Sequence, residues 1–137
     1  MRNFILLAIT IMVFSCAGKK IHASQSNILD GTWLPIQQEI AGTSIPAAAF
    51  QKQKLIIKDS TYTFSAESID KGIARYHDGK MDIYGKEGVN NGRHFSAIYQ
   101  LSNGQLLICY NLAGDAYPDS FDTKGKAKYF LCMFKKE

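Results

Sequence analysis

Cys109 and Cys132 each sit inside an apolar run, Leu106-Leu107-Ile108-Cys109-Tyr110 and Tyr129-Phe130-Leu131-Cys132-Met133-Phe134. If those runs are neighbouring strands, a disulfide is geometrically open to them, since it needs Cα atoms about 4.4–6.8 Å apart. Two buried, unreactive thiols fit the same sequence. A catalytic cysteine does not, because no His or Asn is recognisably placed to activate it. The three histidines carry little: His22 precedes the domain, His77-Asp78 falls on an Asp-Gly turn, and His94 opens an apolar stretch beside Arg93. His77, Asp78 and Asp82 match no metal-ligand spacing, so no metal site is assigned. Lys124, Lys126 and Lys128 alternate, which on a strand would put three charges on one face, read either as a solvated exterior or as an anion patch. Tyr84, Tyr99 and Tyr110 combine an apolar ring with a polar tip, which suits the wall of a site for a partly apolar ligand. As core residues with satisfied hydroxyls they would look the same. No Ser/His/Asp set, paired carboxylates, phosphate loop or nucleotide fingerprint is present, so neither an enzyme nor a cofactor is expected.

Composition bounds what must position these residues. The 137 residues are 46% hydrophobic, 12% aromatic and 20% charged, the make-up of one small globular domain. A net charge of +4 without any block of like charges argues against nucleic-acid binding. Three cysteines make neither a disulfide framework nor a four-ligand zinc site.

The N-terminal stretch reads as an address. A short basic start, Met1-Arg2-Asn3, leads into an apolar run from Phe4 to Phe14, whereas a membrane-spanning helix needs about 20 apolar residues. Val13-Phe14-Ser15-Cys16 resembles a bacterial lipobox, in which the cysteine is acylated and becomes the mature N-terminus; Phe14 departs from the small residue usual there. Ordinary secretion, with cleavage after Ala17 or Ala23, is the alternative. The expected organisation is a signal peptide over 1–15, a tether over 16–27 and one domain over 28–137. Acyl chains contribute about 0.8 kcal/mol per buried CH₂, so lipidated Cys16 would be a stable membrane anchor. Ala17 after the cysteine resembles the sorting signal for an outer membrane, and the tether lacks an acidic export run, so the domain is expected to face the periplasm.

Beyond Asp30, turn signals recur every 8–12 residues, the spacing of an all-β barrel or sandwich. The expected strands are Thr32–Ile40, Lys54–Lys58, Thr61–Ala66, Gly72–His77, Lys80–Tyr84, His94–Leu101, Gln105–Leu112 and Lys128–Lys135. Ser102-Asn103-Gly104-Gln105 is the clearest hairpin. Pro46 followed by Ala47-Ala48-Ala49-Phe50 predicts one short helix, barely two turns long and held by Phe50. Eight short strands and a helix fit an antiparallel up-and-down barrel, just wide enough to be filled by side chains or to hold one small ligand.

Leu29-Asp30-Gly31-Thr32-Trp33 resembles the Gly-x-Trp opening of lipocalin-like barrels. Together with Gly42–Pro46, Ile98–Tyr110, Tyr117–Phe121 and the closing Phe134–Glu137, it is similar in order to a lipocalin-like domain family of uncharacterised bacterial envelope proteins. That resemblance implies that Trp33, with Gly31 as its structural partner, packs at the closed end of the barrel beneath a basic residue. Lys135 or Lys136 would fill the place where the family usually has Arg. It implies fold and compartment more than activity. The expectation is a monomeric, membrane-anchored envelope lipoprotein binding a small, partly apolar ligand through Tyr84, Tyr99 and Tyr110. The alternative is a filled barrel that touches another envelope protein through the loop at Tyr117–Phe121.

Overall fold

A computed structural model describes residues 27–137. The segments expected to be a signal peptide and a tether, with Cys16, fall at 1–26, outside the described residues. The described chain is all-β: β1 (Gly31–Ile40), β2 (Thr43–Ser44), β3 (Lys54–Lys58), β4 (Thr61–Ser65), β5 (Ile69–His77), β6 (Lys80–Glu87), β7 (His94–Ser102), β8 (Gln105–Asn111) and β9 (Tyr129–Lys136). From β3 to β9 each strand pairs antiparallel with the next, β1 pairs with β3, and β9 returns to pair with β1. Because β2 only folds back on the end of β1, the closed barrel has eight strands in up-and-down order. Closure leaves none of the eight with a free edge.

Alternation explains the inside. Leu55 and Ile57 of β3, Met81 and Ile83 of β6, and Leu106 and Ile108 of β8 are all buried at every second position. In β1 the alternation breaks. Pro35 pairs with Phe134 but the next pair is Gln37 with Met133, so Ile36 is an extra, bulged residue. Proline has no N–H to give the ladder, and the bulge turns the phase: Trp33 and Pro35 are buried before it, Gln38 after it.

The two ends of the barrel differ. One carries the tight turns at Asp59-Ser60, Asp78-Gly79 and Asn103-Gly104, where Asp59, Asp78 and Asn103 adopt positive φ. The N-terminal segment seals this end. Leu29 is fully buried, its carbonyl accepts the Trp33 indole N–H at 2.8 Å, and Asp30 Oδ1 accepts the backbone N–H of Asp59 at 2.8 Å. The Lys136 ammonium lies 5.4 Å from the Trp33 ring centroid. Gly31 (φ 141°) is what admits it, since a Cβ there would lie 2.5 Å from Lys136 Cε. Of the two lysines proposed from the sequence, Lys136 takes the place over the tryptophan.

The opposite end carries the longer connections, 41–53, 66–68, 88–93 and 112–128. The last of these straps the outer wall. Tyr117 donates to Asp82 of β6, Ser96 of β7 donates to the Gly114 carbonyl, and Thr123, fully buried, donates to Glu39 of β1. This supplies the outside cover for β8 that its doubly apolar sequence requires.

Three expectations need correction. The helix after Pro46 is a single 3₁₀ turn, Ala47–Ala49, with no side-chain cap, and the chain leaves it at Phe50, whose ring is buried. So short a segment does not offset the cost of helix nucleation, and docking Phe50 decides its path instead. Lys124, Lys126 and Lys128 do not share a strand face: Lys124 and Lys128 lie in two successive turns, and Lys126, between them, pairs with Asp119. β5 and β6 are also longer than expected, reaching Ile69 and Glu87.

Register settles the cysteines. Cys109 lies opposite Leu131, and Cys132 opposite Ile108. The two are thus one residue out of step and point to opposite faces, Cys132 inward and Cys109 outward beneath the strap. Both are buried free thiols. Burial pushes Cys109 up to about 11 and Cys132 up to about 12, which leaves little thiolate to react. Mass spectrometry after alkylation should therefore show Cys109 and Cys132 unmodified in the native protein and both modified, without reductant, once it is unfolded. A peptide pair linked through these two residues would contradict this register.

Candidate functional site

A cavity of about 210 Å³ runs inside the barrel and opens at the loop end. The wall is apolar: Ile57, Ala74, Met81 and Ile83 line its deeper part, with Leu55, Phe64 and Phe95 higher up. A small residue on the wall leaves room: Ala74, inward on β5, lines the cavity. Gly72, also inward on β5, serves close packing of the strands instead, since a Cβ there would lie 2.1 Å from the Tyr84 carbonyl oxygen and 2.7 Å from the Tyr62 ring.

The β5 strand shows how the cavity is graded from end to end. Its inward residues are Asp70, Gly72, Ala74 and Tyr76, so the rim residue Asp70 and the deep Tyr76 are separated by about 20 Å of extended chain. At the rim, Asp70 is 4% exposed, and its carboxylate accepts both the backbone N–H of Asn90 at 3.0 Å and the Asn90 side-chain amide at 3.2 Å. Asn90 Oδ1 in turn accepts from Arg93 at 3.1 Å, and the Arg93 guanidinium lies 4.7 Å from the Phe95 ring centroid. Gly85 allows this rim to form. Its N–H donates to the Arg93 carbonyl and its carbonyl accepts from Gly92, and a Cβ at 85 would lie 1.8 Å from the Asn90 carbonyl oxygen. Above the mouth, a shallower vestibule of about 800 Å³ lies between the segments near Gln51, Glu67 and Val89.

At depth the polar inventory is different. The Tyr76 hydroxyl is buried and has no hydrogen-bond partner among the described residues. Its ring packs edge-on against Tyr99, centroids 5.9 Å apart. Burial, with smaller contributions from Asp30 and Tyr99, pushes its ionisation well above the usual tyrosine range, so the phenol keeps its proton. A buried hydroxyl left unpaired costs about 1–3 kcal/mol. Tyr62 and Tyr110 also line the cavity, and burial raises both.

The three tyrosines singled out from the sequence are divided by the barrel wall. Tyr110 lines the cavity. Tyr99 faces inward and packs against the core beside Tyr76. Tyr84 does not face the lumen: Met81 and Ile83 take the inward positions of β6, and Tyr84 stands outside, stacked on His94 with centroids 4.7 Å apart and with the Arg75 guanidinium 5.5 Å from its ring centroid. The lumen residues not foreseen were Tyr62, Phe64, Asp70, Tyr76, Asn90 and Arg93. Tyr62-Thr63-Phe64 carries the alternation that signals an inward pair, but Asp70 and Asn90 read as loop residues and nothing local marks them.

Outside, Asp82 holds a second polar cluster. Its carboxylate accepts from the Tyr117 hydroxyl at 2.5 Å and lies 2.9 Å from His94 Nε2, while His77 packs edge-on against Tyr117. The cluster is a clasp for the strap, and it uses the Tyr117 hydroxyl from the loop proposed to meet a protein partner. Among the described residues, no group of three His, Cys, Asp or Glu side chains is arranged to hold a metal ion. Comparison with protein-family models, with curated proteins and with solved structures finds no match. The structure shares with the lipocalin-like resemblance an eight-stranded antiparallel barrel in up-and-down order.

The clasp makes stability depend on acid. Partial burial pushes the Asp82 carboxyl up, but the hydrogen bonds from Tyr117 and His94 and the nearby imidazoles outweigh this and hold it below its ordinary value. A lowered carboxyl contributes stability above the unfolded value of about 3.9, and this is lost as pH falls through the folded value. Denaturant unfolding followed between pH 7 and pH 2 should show Asp82→Asn less stable than wild type at pH 7, with the two curves converging at the acid end. Parallel curves across the range would show that the clasp contributes nothing through ionisation.

Proposed function

We propose that this protein is a membrane-anchored envelope lipoprotein that holds one small, partly apolar ligand inside its barrel. The observation that carries the ligand-holding part is the cavity: apolar along its length, sealed at one end by Leu29, Trp33 and Lys136, and open at the other through a polar rim. An eight-stranded barrel is just wide enough to be filled by side chains or to hold one small ligand, and here space remains inside. Apolar cavities of about 150 Å³ take up benzene, so this volume suits one ring with a short substituent or a chain of similar bulk. Burying that surface is favourable by about 25 cal/mol per Å².

The compartment and the anchor come from the sequence. The apolar run ending at Cys16, the likeness of Val13-Phe14-Ser15-Cys16 to a lipobox and Ala17 after it support an acylated outer-membrane protein facing the periplasm. The likeness of Leu29–Trp33 to the opening of lipocalin-like envelope domains supports the same reading, and Lys136 over Trp33 is the arrangement that likeness implies. The barrel's pairing is internal and its edges are closed, which fits a monomer.

Native mass spectrometry of the full chain, extracted from membranes in mild detergent, tests both parts at once. The expected spectrum carries a covalent acyl mass on Cys16 that survives denaturation and a second, smaller mass that leaves on denaturation. An unacylated chain contradicts the anchor. A chain with no second mass, unchanged after incubation with envelope lipid extract, contradicts the ligand and favours a filled barrel acting through protein contacts.

A further inference from the structure

A cavity lined only by hydrocarbon would select ligands by size alone, but the deep end of this one contains a phenol. We propose that Tyr76 sets the specificity of the cavity, donating its hydroxyl proton to a neutral oxygen on the buried end of a small apolar ligand that enters oxygen-first. The proposal rests on the ligand-holding reading above and names the class of molecule: compact ketones, esters, ethers or phenols, not carboxylates or ammonium ions.

Three observations lead there. The Tyr76 oxygen is buried on the cavity side of β5 and meets no partner among the described residues. Water is a poor substitute, since a buried water is held by two to four polar groups. Around Tyr76, the same-face neighbour Ala74 and the cross-strand neighbour Met81 offer no side-chain polar group, and neither Tyr99 nor Tyr110, whose hydroxyls lie within electrostatic reach, hydrogen-bonds to the Tyr76 oxygen. A ligand oxygen brings its own acceptor, and the rest of the ligand replaces the water with apolar contact.

Charge decides that the oxygen is neutral. The charged side chains lining the cavity are Asp70 and Arg93, and both belong to the rim network through Asn90. Asp70 is separated from Tyr76 by about 20 Å of strand. A carboxylate carried to the deep end would lose its hydration with no cation lining that end and would face the charge of Asp30, whose influence reaches the Tyr76 hydroxyl, while an ammonium, which has donors only, offers the phenol no acceptor. A neutral acceptor meets neither penalty and gains the phenol. The hydroxyl thus favours an oxygen-bearing ligand over its hydrocarbon analogue while the bare apolar wall disfavours ions.

Three probes of similar size separate the possibilities: acetophenone, ethylbenzene and benzoate, each titrated by calorimetry into the full-length protein and into Tyr76→Phe. The phenyl ring of the variant keeps the packing on Tyr99. Acetophenone is expected to bind wild type about five- to tenfold more tightly than ethylbenzene, the range for one hydrogen bond formed in a dry site. Benzoate is expected to bind more weakly than either. In Tyr76→Phe the preference for acetophenone should vanish while ethylbenzene binds as before. Equal wild-type affinities for acetophenone and ethylbenzene, an equal loss of both in the variant, or tightest binding of benzoate would each overturn the role of Tyr76 and leave the ligand-holding barrel standing. Failure of all three to bind wild type would remove the ligand-holding reading, and this proposal with it. If Tyr76→Phe does not fold, the wild-type ranking of the three probes decides alone.

Discussion

The hydrogen-bonded return of β9 onto β1 is the constraint on which the molecule depends. Eight strands joined in a ring give every strand an inside and an outside, and the ring's circumference fixes how much can fit within. The seam is also where the fold is least regular. Trp33 to Pro35 and Gln37 to Ile40 pair with β9 on either side of a bulge at Ile36, so one strand changes the phase of its inward residues partway along. That change lets β1 present Trp33 to the sealed end and Gln38 to the middle of the wall, where its amide meets Gln53 and the Cys132 sulfur. A straight β1 would have to place a hydrophobe and a polar residue on the wrong sides of the ring.

From closure follows the contrast between the two ends. Up-and-down order sends alternate connections to opposite ends, and here the short ones all fall together. Tight turns leave a narrow opening that Leu29 and Trp33 can plug, with the indole hydrogen bond and Lys136 fixing the tryptophan. Losing a buried side chain of that size from a core typically costs about 3–5 kcal/mol. The long connections cannot seal the other end in the same way. One of them is instead laid down the outer wall, where Tyr117 on Asp82 and Thr123 on Glu39 hold it across the strands. The mouth stays open because the loop long enough to cover it is occupied elsewhere.

Most of this architecture was legible in the sequence, and for a physical reason. Strand and turn signals are local: alternating pairs such as Leu55 and Ile57, and turns such as Asn103-Gly104, announce themselves within a few residues. What failed was non-local. The Pro46 segment has helical residues, yet docking Phe50 ends it after one 3₁₀ turn. Ile69 to Lys71 and Gly85 to Glu87 look like loop, because an inward Asp70 makes sense only once Asn90 is known to satisfy it, and an inward Gly85 only once the Asn90 carbonyl is known to pack on it. The candidate site was legible in kind and not in detail. Tyrosines do line the lumen, but Tyr84 belongs outside and Tyr62 and Tyr76 inside, an error of the sort that a one-residue shift in register produces.

The cavity unites these features: the small Ala74 leaves room on its wall, the plug closes it, and the diverted loop leaves it accessible. Its existence can be tested without knowing any ligand. Xenon enters dry apolar cavities of this size and scatters strongly. Crystals of the protein pressurised with xenon should show an ordered atom within the barrel, against Ala74, Met81, Ile83 and Ile108. Xenon bound only on the outer wall, or an interior filled by side chains with no xenon at all, would contradict the account.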